Sequence, residues 1–344
     1  DLVRSRGLGD VYKRQLYGSS VLLSVVAACS ADVPQTMVQD DGRVEIRVSS
    51  GIFSSVEPAT RAVLDGMINS GFNTDLDVAF ARADADGNGD YTVYKDDALA
   101  GTVTSSSQEL AFAPAEYYSA NGNKTKLIGW YPRRNNVSFT QASGVVNFGT
   151  IDGRTDIMVT SLKEGKKDSK IQSLVFSHLL TQISVRVYAS DADTKSLWGK
   201  VRSIKITGKK QACVITLPAA TSVDGTGIAG SSFTGSEDLD LVAAEPITPS
   251  NVISYPLEMG VGAADDAVMA GYAMFAPQTS GSIELQIDLE TGGLQKPEIT
   301  VPVGGGFQNG TSYAITLKFT SAEITPTISV TDWVTGDAIE EVEI

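Results

Sequence analysis

Catalytic chemistry has little to work with in this chain. Among 344 residues there is one histidine, His178, and there are two cysteines, Cys29 and Cys213. Any zinc site or nucleophilic triad built on histidine would have to use His178. That residue lies between Phe176 and Leu180 on an apolar strand face, so it reads as a packed histidine. Acidic residues are scattered, with no pair set apart for glycoside hydrolysis. No glycine loop opens a helix to cradle phosphate, and Gly304-Gly305-Gly306 falls between strands as a turn. The chain is therefore not expected to be an enzyme, and no cofactor is expected.

Positive charge is also scarce. Lys and Arg number 27 against 41 Asp and Glu, for a formal net charge of −14. Such a surface repels nucleic acid, and no basic patch interleaved with aromatics offsets it. Long helical periodicity is missing. The uncharged apolar run Leu16–Cys29 is too short to span a bilayer as a helix.

That run instead has the length and composition of a signal-peptide core. It ends Val26-Ala27-Ala28-Cys29, with small residues before a cysteine, and so resembles a bacterial lipobox. Residues 16–28 are read as a lipoprotein signal peptide, Cys29 as the lipidated first residue of the mature chain, and 29–41 as a flexible tether. Lipid on Cys29 leaves Cys213 without a disulfide partner. The sequence Ala-Cys-Val-Ile-Thr-Leu around Cys213 marks it as a small buried hydrophobe. Residues 1–15 do not fit a signal peptide. The stretch Asp10-Val11-Tyr12-Lys13-Arg14-Gln15 resembles a translated sequencing adapter, so 1–15 are read as non-native and the true start as lost.

What remains is rich in Thr, Ser, Val and Gly, with short apolar runs between turn residues, the pattern of β structure. From Gly42 to Ser50, Val44, Ile46 and Val48 alternate with Arg43, Glu45, Arg47 and Ser49, which predicts a strand with one buried face. A proline-containing loop with Arg61 follows. Further on, Asp84, Asp86, Asn88 and Asp90 match the first half of a calcium loop, with Gly89 at position six. Position twelve is Lys95, where such a site needs a bidentate glutamate. The other reading is a hairpin whose Asp, Asn and Gly residues supply the turn, with Tyr91–Tyr94 as the returning strand.

The charged segment Lys163–Lys170 is the candidate domain boundary, giving units at 42–167 and 168–344, each about the size of a β-sandwich. In Ser173–Ala189 the apolar parity switches from Leu174, Phe176, His178 and Leu180 to Ile183, Val185 and Val187. A bulge or corner is expected near Leu180–Gln182. Ser203–Thr207 and Ala212–Leu217 read as a strand pair turned at Gly208-Lys209-Lys210, and Ser222–Asp238 as an exposed loop. The tail ends with Val342 and Ile344 at strand spacing.

Two stretches carry a family resemblance. One is Asp156-Ile157-Met158-Val159 ahead of Leu174–Val185. The other is Phe307-Gln308-Asn309-Gly310-Thr311-Ser312-Tyr313 followed by Ile328–Trp333. With the lipobox and Ala59-Thr60-Arg61-Ala62, they make the chain resemble the fimbrillin family, the lipoprotein-derived pilus subunits of Bacteroidales-type bacteria. The resemblance implies an all-β fold of two tandem transthyretin-like β-sandwich domains joined by a short linker. It implies a place on the outer membrane and in a surface pilus, serving adhesion. It further implies cleavage after Arg61, loss of the strand bearing Val44, Ile46 and Val48, and filling of the gap by a strand from another pilus subunit. The tail to Ile344 would be the donor segment. The rival reading is a surface-anchored lipoprotein that never polymerises and binds a glycan or host ligand.

Overall fold

A computed structural model describes residues 43–52, 75–104, 109–242, 253–291 and 297–332. Among these residues the chain forms nineteen strands in three sheets, with a single α-helix, so the fold is all-β. Strands are numbered in chain order.

The first sheet closes on itself. It contains β1 (Val48–Ile52), β2 (Leu76–Asp84), β3 (Leu99–Val103), β4 (Glu109–Phe112), β5 (Thr125–Tyr131), β8 (Met158–Thr160), β9 (Lys163–Gly165) and β10 (Ser173–His178). Their order is β2-β3-β4-β1-β10-β8-β5-β9, and β5 also pairs with β2, so the ladder runs round a barrel. The two-residue period of a strand sends alternate side chains inward. Val78, Phe80, Leu110, Phe112, Leu127, Met158, Leu174 and Phe176 form the interior. Phe80 meets Phe112 and Phe176 edge-on, with ring centroids 5.4 and 6.2 Å away. Gly129 makes that possible, because a Cβ there would run into the Phe80 ring.

The other face of β2 is Ala79, Ala81 and Ala83, also buried, so this strand is covered on both sides. Its cover comes from the second sheet, formed by β6 (Ser138–Thr140), β7 (Val145–Thr150), β12 (Val201–Thr216), β13 (Gly230–Asp240), β16 (Ser282–Leu289) and β17 (Glu298–Pro302). One half of β12, Ala212–Thr216, pairs with β7. Here Val146, Phe148, Cys213 and Ile215 pack on Ala79, Ala81, Ile128 and Trp130 of the barrel. The other half of β12 pairs with β16. Its Ile204 and Ile206, with Leu285 and Ile287, pack on the third sheet. That sheet comprises β11 (Thr181–Ala189), β14 (Gly260–Val261), β15 (Val268–Phe275), β18 (Thr311–Phe319) and β19 (Ile324–Asp332). It contributes Ile183, Val185, Ile315 and Leu317 to the shared core.

The parity switch in 173–189 is a corner between sheets. β10 ends at His178 in the barrel, and β11 begins at Thr181 in the five-stranded sheet. The charged segment 163–170 holds β9 and a turn in which Lys166 and Ser169 exchange backbone hydrogen bonds.

Two local expectations are revised. Gly208-Lys209-Lys210 does not turn the chain. β12 runs through it, with register shifts on both sides of Lys210 and Gly208 at φ 66, so the special residues serve a bulge. Much of the supposed 222–238 loop is β13, whose Ser, Thr, Glu and Asp side chains suit an exposed strand better than its composition suggests. The helix α1 (Ala192–Trp198) is too short to show periodicity. It is fixed instead by Asp191, whose Oδ1 accepts the Thr194 backbone N–H at 2.7 Å.

Candidate functional site

The segment 43–52 completes the barrel wall. Ser49–Ile52 run parallel to Ser173–Phe176 of β10, while Val48 and Ser49 pair antiparallel with Leu110 and Glu109 of β4. Upstream, the Ile46 N–H donates to Glu116 O at 2.8 Å and the Tyr118 N–H to Val44 O at 2.9 Å. The alternation read from the sequence is the observed one. Ile46 and Val48 are 2% and 3% exposed within the barrel core, with Val44 packed partly buried against it. Glu45 and Arg47 are on the outer side, where they form an ion pair at 2.8 Å. The next inward position is Ser50, also enclosed, whose Oγ donates to Leu174 O at 3.0 Å.

A buried arginine supports the start of this segment. Arg82 reaches Glu116 Oε2 at 2.6 Å through Nη1 and Tyr117 O at 2.8 Å through Nη2, while its Nε donates to Asp84. It thereby fixes the 116–118 backbone to which residues 44–46 bond. Sequence periodicity gives no sign of this support, because Glu116 and Tyr117 lie 34 and 35 residues on in the chain.

Arg82 also bears on the calcium-loop candidate. Asp84 is held by Arg82, by Lys95 Nζ at 2.6 Å and by the Thr125 hydroxyl at 2.7 Å. Burial pushes its carboxyl up, but these donors outweigh burial and leave it below the usual carboxylate range. Asp86 Oδ1 accepts the N–H groups of Asn88 and Asp90, an arrangement that makes the turn from side chain to backbone. Asp84 thus has the Lys95 ammonium where a cation would sit. No group of His, Cys, Asp and Glu suited to a metal ion occurs among the described residues. Tyr91–Tyr94 is not a regular strand; β2 is paired by β3 and β5 instead.

His178 points inward, in line with Leu174 and Phe176, and is buried as its neighbours foretell. Its partner was not foreseen. His178 Nδ1 meets Asp156 Oδ2 at 2.5 Å, and Asp156 is completely enclosed. Burial raises the Asp156 carboxyl above its ordinary value, with the nearby histidine pulling the other way. A lone histidine on an apolar face calls for a polar partner, which was the one available signal. Cys213 is buried, and burial pushes its thiol up to about 12, as befits a packing residue. Cys29, Arg61, Val342 and Ile344 lie outside the described residues.

The fold and site define a class: an all-β protein whose early segment closes a barrel and is enclosed on its inner side. The family whose description matches residues 60–333 is fimbrillin-like, and the chain belongs to that family. It stands with fimbrial proteins and not with enzymes. Among solved structures, a proposed cell-adhesion protein from Bacteroides uniformis shares the fold. Its TM-score is 0.55 at 17% identity, over 86% of this chain and 100% of that one. A second proposed cell-adhesion protein, from Bacteroides ovatus, gives 0.49 at 13% identity over 86% and 99%. The tip fimbrial protein Mfa3 from Porphyromonas gingivalis, truncated at its C-terminus, gives 0.40 at 8% identity over 84% and 100%. No curated protein matches the chain.

Proposed function

We propose that this protein is a structural or accessory subunit of a cell-surface pilus that serves adhesion, assembled by strand exchange. It is exported as a lipoprotein acylated at Cys29 and reaches the outer membrane. A protease cuts after Arg61, and the segment bearing Val44, Ile46 and Val48 departs. A strand from another subunit then takes its place.

One observation carries this reading: the segment 43–52, whose β1 lies between β4 and β10 in a closed wall, has Ile46 and Val48 inside. Removing it unpairs two strand edges and opens the apolar interior along its length. Each of the two side chains accounts for roughly 1.5–3 kcal/mol of burial. An incoming strand recovers that burial together with the backbone hydrogen bonds, which is the physics of β-augmentation. The family and the solved relatives support a place at the surface among pilus proteins.

The test is treatment of purified protein with an arginine-specific protease, beside an Arg61→Ala variant. The reading expects loss of the N-terminal segment followed by ladders of multimers, with neither from the variant. A chain that is cut but stays monomeric, and that binds a glycan, would replace this reading with the non-polymerising lipoprotein.

A further inference from the structure

We propose that a strand from a second copy of this chain enters the barrel wall at the seam between β1 and β4, pairing with β4 while β1 is still bound to β10. The inference rests on the strand-exchange reading above and adds to it the edge at which exchange begins.

The two edges of β1 are held unequally. Along β10, four consecutive residues are in register, from Ser49 opposite Ser173 to Ile52 opposite Phe176. Side chains reinforce that edge, because Ser49 Oγ donates to Gln172 O at 2.8 Å and Ser50 Oγ to Leu174 O at 3.0 Å. Along β4, the described residues meet at two positions, Val48 with Leu110 and Ser49 with Glu109.

The ladder on the β4 side also breaks. Alternate residues of an antiparallel strand bond to opposite neighbours. The Thr104 N–H donates to Glu109 O and the Ala113 N–H to Ala100 O, so Glu109, Ala111 and Ala113 bond toward β3. Leu110 and Phe112 therefore turn their backbone groups toward β1. A continued ladder would set Ile46 opposite Phe112. The Ile46 N–H donates instead to Glu116 O, and the next bridge joins Glu45 to Tyr117. Between the Val48–Leu110 pair and that bridge, the partner strand carries four more residues than this segment does, and they bulge out. Beside the break is a cavity of about 320 Å³, lined by Glu45, Arg47 and Val48 from one side and Glu109, Leu110 and Ala111 from the other. Its size is that of roughly ten waters, room for the leading side chains of a strand but not for a whole one.

An extended backbone is what this opening fits. Phe112 offers main-chain groups on the open side, and a strand that pairs there continues directly into the slot that β1 fills, antiparallel to β4 as β1 is. The resident Arg47 pairs with Glu45, which leaves Glu109 on the rim to face a basic outward residue of the newcomer, as Arg47 is in this chain's own segment. As the newcomer gains bonds at Phe112 and then at Leu110, β1 gives up β4 first and β10 last. Ile46 and Val48 are replaced one at a time, so the apolar interior is never opened to water along its whole length.

The test uses full-length protein cut by an arginine-specific protease, freed of the protease and still holding its N-terminal segment. Fluorescent peptide with the sequence of residues 42–52 is added in excess at rising concentration, and displacement of the resident segment is timed. The segment's own release rate is measured by dilution without peptide. Entry at the seam predicts displacement that quickens about tenfold for tenfold more peptide and exceeds the segment's own release rate several-fold. This readout needs no variant. Ala111→Trp, at an exposed position on the cavity rim, should slow displacement several-fold and leave own release and Tm unchanged. Ser177→Trp, exposed on β10 away from the seam, should change neither. Displacement that levels off at the segment's own release rate, or that is as fast in Ala111→Trp as in the wild type, overturns entry at the seam and leaves strand exchange standing. No displacement and no uptake at any concentration overturns both.

Discussion

Replacing Ile46 by alanine measures how firmly the barrel interior grips β1. Ile46 is 2% exposed and belongs to the barrel core that also holds Val78, Phe80, Leu110 and Phe176. Isoleucine to alanine removes three carbons from a close-packed site, at a cost of roughly 2–5 kcal/mol including the cavity left behind. Taking about 3 kcal/mol, and a factor of ten for each 1.4 kcal/mol, retention of the cut strand should weaken by about a hundredfold. The assay is the release rate of the N-terminal fragment after proteolysis, read by size exclusion. Arg47→Ala is the control. Its side chain is on the outside, 79% exposed and paired with Glu45, so its loss should leave the release rate close to that of the wild type. If Ile46→Ala releases its fragment no faster than Arg47→Ala, the apolar interior is not what holds the strand.

Three other outcomes follow from the same geometry. Gly129→Ala places a methyl group against the Phe80 ring and should lower stability by about 1–3 kcal/mol or more, seen as a fall in Tm. Arg82→Met leaves Asp84 and Glu116 without their buried cation, and should cost about 3–5 kcal/mol in denaturant unfolding. Asp84 has a folded value below its unfolded one of about 3.9, so its contribution is present above that pH and is lost as pH falls through the folded value. Asp84→Asn should therefore be less stable than wild type at pH 7, with the gap narrowing below about pH 4.

Local features of this fold are legible in the sequence, and distant pairings are not. Val44, Ile46 and Val48 declare a buried face because strand period and burial coincide. The switch at Leu180 declares a corner for the same reason. Nothing near Ser49 announces that its N–H reaches Gln172 O, or that β5 returns to close the ladder on β2. Those contacts depend on topology that residue spacing does not encode. The Asp156–His178 pair falls between these cases. Each member stood within a recognised stretch, yet 22 residues separate them and only the fold brings them together. Gly208 and β13 show a further limit: polar, glycine-bearing sequence serves a bulge or an exposed strand as readily as a turn or loop.

Hydrogen–deuterium exchange tests strand exchange most directly. Amides of β4 and of Ser173–Phe176 in β10 should be protected in the intact chain, lose protection after the cut and departure of β1, and recover it when subunits assemble. Protection that survives loss of residues 43–52, or that assembly never restores, would contradict the idea that this segment's slot is where subunits join.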